Sequence, residues 1–135
     1  MARSNTQIVL ETVDVFNRSG AAAALDGAAD PRIVMHTAPE WPGQAIHKGR
    51  DSCLELLDDF TEPFQEYHWD IDHVQEAGDR VLTLVHHAGR TGDSWIKQQF
   101  AAIWRVEDGL LVEIWFFFAW DDALAAAGSS RARSP

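Results

Sequence analysis

The sequence has one cysteine, Cys53, in 135 residues, so it can form neither an internal disulfide nor a paired-cysteine metal motif. Basic residues are scarce: 11 Lys and Arg stand against 21 Asp and Glu, a formal net charge of −10. That balance repels nucleic acid and anionic lipid, and no basic stripe suited to phosphate contacts is present. Arg131 and Arg133 form the only late positive cluster, in a polar tail. No apolar run reaches membrane-spanning length, and the first seven residues lack the apolar core of a signal peptide, so the expected location is cytoplasmic and no membrane partner is expected. No glycine-rich phosphate loop occurs, so no cofactor is expected. The six histidines have no metal-ligand spacing, and no metal site is assigned. Ser94 and Cys53 have no base nearby in sequence, which leaves a nucleophilic triad unsupported. Tyrosine occurs once, as Tyr67.

What is abundant is apolar and flat. Hydrophobic residues make up 46% of the chain, with six Trp and seven Phe, several crowded into its last third. Ser4 and Gln7 have capping-box spacing and open a helix toward Gly20. Within it Ile8, Val9, Thr12, Val13, Val15 and Phe16 form one apolar face. Ala21 to Ala28 reads as a short second helix and Arg32 to Ala38 as a strand. Pro39, Pro42 and Gly43 force a loop. Gly49 to Phe60 is a third helix with Leu54, Leu57 and Phe60 inward. Four strands follow as a meander: Tyr67 to Asp72 in period-two alternation, Val81 to His87, Trp95 to Val106 and Leu110 to Trp120. Asp121 caps a last short helix that Gly128 ends. One domain over residues 1–128 and a disordered tail over 129–135 result. Helices grouped early and antiparallel strands late specify an α+β fold with helices on one face of the sheet.

The last two strands carry a further signal. Even positions Phe100, Ala102, Trp104, Val112, Ile114, Phe116, Phe118 and Trp120 form the better core face. The odd set still bears Ile103, Trp115 and Phe117, too apolar for water, so a second copy is expected to cover the outer face as a homodimer.

The element order, with Asp30-Pro31, the segment Trp41 to Arg50, the Glu107-Asp108-Gly109 hairpin, Gly89-Arg90-Thr91-Gly92 and the run Trp120 to Leu124, resembles the nuclear transport factor 2-like superfamily and most of all its SnoaL-like branch. The resemblance covers roughly Thr6 to Gly128. It implies a cone: a strongly bent, mostly antiparallel sheet wrapped around three N-terminal helices, with a pocket at the open end. The family includes polyketide cyclases, ketosteroid isomerase, epoxide hydrolases, dehydratases and non-enzymatic binding or assembly modules. By position, His36 matches the general base of ketosteroid isomerase, Ala102 its acidic oxyanion-hole residue, and Trp120 its C-terminal aromatic. The base position thus keeps an ionisable group, while the acidic partner is absent.

These observations nominate a set of polar residues for the pocket. His36 suits acid–base work near neutral pH. His86 and His87 are adjacent on a strand, so one of the two faces the pocket and the other the opposite side. Gln98 shares the apolar even face and needs a polar partner or water. Asp121 is a helix cap or a carboxylate of the site. Trp41, Trp69, Phe100, Phe116, Phe118 and Trp120 are the expected walls. The expected function is cofactor-free proton-transfer chemistry (cyclisation, isomerisation or dehydration) on a small apolar, polyketide- or terpenoid-like molecule. A non-catalytic ligand-binding or assembly module is the alternative. Epoxide hydrolysis is a third reading, although no Asp-Arg-Asp relay can be assembled from the inward positions.

Overall fold

The structure, a computed structural model, describes residues 4–132, with side chains described through residue 128. Helix α1 (Asn5–Ser19) starts on the capping box: the Ser4 hydroxyl accepts from the Gln7 amide and the Gln7 side chain accepts from the Ser4 amide. It stops at Gly20, whose φ of 91° breaks the helix and leads directly into α2 (Ala21–Ala28). Strand β1 (Ala29–His36) and helix α3 (Arg50–Thr61) flank β2 (Ile46–Lys48), a three-residue strand within the stretch read above as a loop. The remaining strands are β3 (Glu66–Ala77), β4 (Arg80–Thr91), β5 (Ser94–Glu107) and β6 (Leu110–Phe117).

One six-stranded sheet runs in the order β2-β1-β6-β5-β4-β3, antiparallel except for β1 beside β6. Its concave face packs on α1, α2 and α3 through Ile8, Val9, Ile33, Met35, Leu56, Leu57, Val85, Trp104 and Ile114, all buried. Each such side chain removed from water contributes about 1.5–3 kcal/mol. The edge strand β3 is clamped to α1 by Asn17, which donates to the Trp69 carbonyl (2.8 Å) and accepts from the Trp69 amide (2.9 Å). Among the described residues no helix is long and apolar enough to cross a membrane.

Three expectations need correction. The final strand ends at Phe117, and helix α4 (Trp120–Ala132) begins at Trp120, so Asp121 lies inside its first turn instead of capping it. That helix also continues past Gly128 to Ala132; residues 133–135 of the expected tail lie outside the described residues. Most consequential is where α4 sits. It covers the convex face of the sheet, where Leu82, Ala101, Ile103, Ala123 and Ala127 form a second buried cluster flanked by Trp115, Phe117 and Trp120. Part of the cover expected from a second copy is therefore supplied by the chain itself. Within β6 the even parity holds from Ile114 to Phe116. A bulge at Val112, between the Arg105–Glu113 and Val106–Leu111 pairs, turns Leu111 inward in place of Val112.

Candidate functional site

Between the open end of the sheet, α3 and the loop after β1 lies an apolar cavity of about 270 Å³. Its walls are aromatic. Trp69, on β3, is 4% exposed and makes ring contacts with Phe16, Phe100, Trp104 and Phe116. Phe60 sits edge-on to both Phe116 and Trp41, and Trp41 leans on Phe118 at the mouth. Phe118, just beyond β6, is 45% exposed and so forms a rim, not a buried wall. Phe64, between α3 and β3, stacks on Tyr67 at 5.3 Å. It lies over Gly89 so closely that a Cβ there would come within 2.4 Å of the ring. The sheet has a glycine at this point because an aromatic ring occupies the space of a side chain.

Against these rings stand few polar groups. His87, on β4, lines the cavity with Gln98, its cross-strand partner on β5. The Tyr67 hydroxyl lies 2.6 Å from His87 Nδ1, and Trp69 Nε1–H donates to the same hydroxyl at 3.0 Å. Burial is the main cause of a lowered His87 pKa; a hydrogen bond with Gln98 works in the opposite direction, and the nearby His86 lowers it further. Burial pushes the Tyr67 phenol up to about 12, with the Trp69 hydrogen bond opposing. At pH 7 the site therefore holds a neutral imidazole and a neutral phenol. Among the described residues, Asp59, exposed on α3, is the one carboxylate lining the cavity, and no Lys or Arg lines it.

The nominated residues divide between the two sides of the sheet. Trp41, Trp69, His87, Gln98, Phe100, Phe116 and Phe118 come together at the cavity. His86, Asp121, Trp120 and His36 do not. His86 is on the convex face, held by Asp72 at 2.8 Å and Asp70 at 3.2 Å. Trp120 is also on that face, edge-on to His73 at 5.3 Å. The placement expected for His36 is corrected. Ile33 and Met35 point into the core, so His36 emerges on the convex face, stacked on Trp115 at 5.2 Å with Nε2 2.5 Å from Glu113. Arg105 holds the other Glu113 oxygen at 3.1 Å. No metal-ligand group of three or more side chains occurs among the described residues.

Tyr67, Phe64, Phe60 and Asp59 were not nominated from the sequence. For Tyr67 a signal existed, since it alternates with Trp69 and Ile71 and must share their face. For Phe64 the pointer was Gly89, a glycine inside a strand, which marks close approach of another group.

A bent sheet closed over three helices, with an apolar cavity at its open end, defines the nuclear transport factor 2-like fold. Residues 9–114 match the SnoaL-like domain, and the chain belongs to that family. No curated protein matches the sequence. Among solved structures, an NTF2-like protein of unknown function from Burkholderia pseudomallei is 19% identical, with 90% of this chain and 95% of that one covered and a TM-score of 0.71. IdmH from Streptomyces antibioticus, a candidate polyketide cyclase, is 18% identical over 94% and 99% of the two chains, with a TM-score of 0.73. TerC, co-crystallised with polyporic acid, is 15% identical over 92% and 98%, with a TM-score of 0.70. These likenesses are of fold.

Proposed function

We propose that this chain acts on a small, neutral, apolar molecule by cofactor-free proton-transfer chemistry, with His87 as the group that meets the reacting polar atom. The observation that carries the reading is one polar constellation, His87 with Tyr67 and Gln98, set into an otherwise aromatic cavity. A neutral, partly buried imidazole suits proton exchange with, or hydrogen bonding to, an oxygen where charge develops. Asp59 at the lining supplies a carboxylate to accept a proton from carbon. The pair fits isomerisation, cyclisation or dehydration of a polyketide- or terpenoid-like molecule, in keeping with the cyclase descriptions given to relatives of this fold.

The test is a metabolite panel screened by thermal shift, followed by steady-state turnover of the hits. His87→Ala should lower turnover by about 10² to 10⁴, the share of one acid–base group. Full activity in that variant overturns the assignment. A second reading, ligand binding without turnover, is favoured by one observation: Nδ1 of the His87 ring is already engaged by the Tyr67 hydroxyl at 2.6 Å. A hit that binds tightly and is recovered unchanged after long incubation would establish it.

A further inference from the structure

The polar end of the cavity is asymmetric in a way that selects its ligand. Trp69 Nε1 can only donate, and it donates to Tyr67 Oη at 3.0 Å. The phenol has one proton of its own, and the nearest acceptor for it is His87 Nδ1 at 2.6 Å. The reverse arrangement, with Nδ1 donating, would leave the phenol proton without an acceptor in this group. Trp69 cannot rotate to relieve the conflict: Asn17 fixes its backbone on both sides and Phe16, Phe100 and Phe116 surround its ring.

We infer that Tyr67, backed by Trp69, is a positioning residue that locks His87 in its Nε2–H tautomer, so that the cavity offers its ligand a hydrogen-bond donor and selects flat neutral molecules bearing an acceptor. Gln98, the cross-strand partner of His87, lines the same wall and brings an amide with both a donor and an acceptor beside it. Size follows from the cavity: at packing densities of about 0.5–0.75, 270 Å³ takes a molecule of roughly 140–200 Å³, one or two fused rings. Charge follows from the lining. Among the described residues it has no Lys or Arg to meet an anion, and its one carboxylate, Asp59, is exposed. This inference rests on the pocket reading above but makes a separate claim, about the proton on one nitrogen.

The experiment has two arms. In the first, nitrogen NMR of protein carrying ¹⁵N-histidine reads the tautomer directly at pH 7.5. The wild type should show His87 Nδ1 as an unprotonated acceptor and Nε2 protonated; Tyr67→Phe should move both resonances toward the average of two exchanging tautomers. Trp69→Phe, which frees the phenol to turn, should move them the same way. A protonated Nδ1 in the wild type, or a spectrum unmoved by Tyr67→Phe in a folded protein, overturns the inference. The second arm titrates 1-tetralone, a bicyclic acceptor, and indole, a bicyclic donor. The ratio of their affinities should favour 1-tetralone in the wild type and fall by about 2- to 10-fold in Tyr67→Phe, the range of one neutral hydrogen bond. An unchanged ratio overturns the claim of selection. If neither probe binds the wild type, the pocket reading fails, while the NMR arm still decides the tautomer.

Discussion

Replacing Gly89 by Ala should press on the cavity from behind the sheet's own backbone. The new Cβ would meet Phe64 Cδ1, Cγ and Cε1 at 2.4, 2.6 and 2.7 Å, against comfortable carbon–carbon distances of about 3.5–4.0 Å. The ring must withdraw by roughly 1 Å or more to restore that separation. Phe64 cannot slide along the strand, because it is stacked on Tyr67, which is itself the cross-strand partner of Gly89. Overpacking of this kind costs about 1–3 kcal/mol, so the melting temperature should drop by roughly 3–15 °C in a chain of this size. Urea unfolding of Gly89→Ala, Phe64→Ala and the double variant closes a mutant cycle. If the clash is the cause, the double variant loses less than the sum of the singles, with a coupling of about 0.5–3 kcal/mol. The displaced ring also leaves its place on Tyr67 and enters the cavity, so the affinity for 1-tetralone should fall in Gly89→Ala and recover in the double variant. Additivity within about 0.3–0.5 kcal/mol would refute the reasoning, since it would mean that the ring and the glycine do not share one space.

Three further outcomes are expected. His87 has a pKa below its ordinary 6.5 when folded, so between the folded value and 6.5 the unfolded chain binds more protons and stability rises with pH. Urea stability measured from pH 5 to 7.5 should therefore gain more in the wild type than in His87→Gln; an equal or smaller gain refutes the burial of this imidazole. Thr83 is fully buried and accepts from Trp104 Nε1 at 2.9 Å, so Thr83→Val strands that donor and should cost about 1–3 kcal/mol by chemical denaturation, with a loss near zero counting against it. His36→Gln changes only the convex face, where His36 meets Glu113 and Trp115; probe affinity and turnover should stay within twofold of wild type, and a large loss would return His36 to the site.

How far the sequence determines this picture depends on whether a period can be counted without interruption. On β5 and the end of β6 it can: Phe100, Ala102, Trp104, Ile114 and Phe116 alternate with Arg105, Glu113 and Trp115, and all five reach the concave core. On β1 it cannot, because Ile33, Val34 and Met35 are all apolar and no parity shows. Position within the family then placed His36 in the cup, whereas burial of Ile33 and Met35 puts it outside. The pairing of Tyr67 with His87 fails for another reason. Counting outward from the Ala77–Arg80 turn would set Trp69 opposite Ala88 and Tyr67 opposite Arg90, away from His87. The bulge at Asp72, between the Ile71–Val85 and His73–Leu84 pairs, adds one residue to β3 and sets Trp69 opposite His87. One extra residue thus decides whether Tyr67 and Trp69 share the cavity with His87, whose own side follows from its alternation with Val81 and Val85. The same residue, Asp72, holds the excluded histidine, His86, at 2.8 Å on the far side. The bulge that brings Tyr67 and Trp69 to His87 therefore also supplies the carboxylate that holds His86 on the far side, a coupling that no count along β3 alone could reveal.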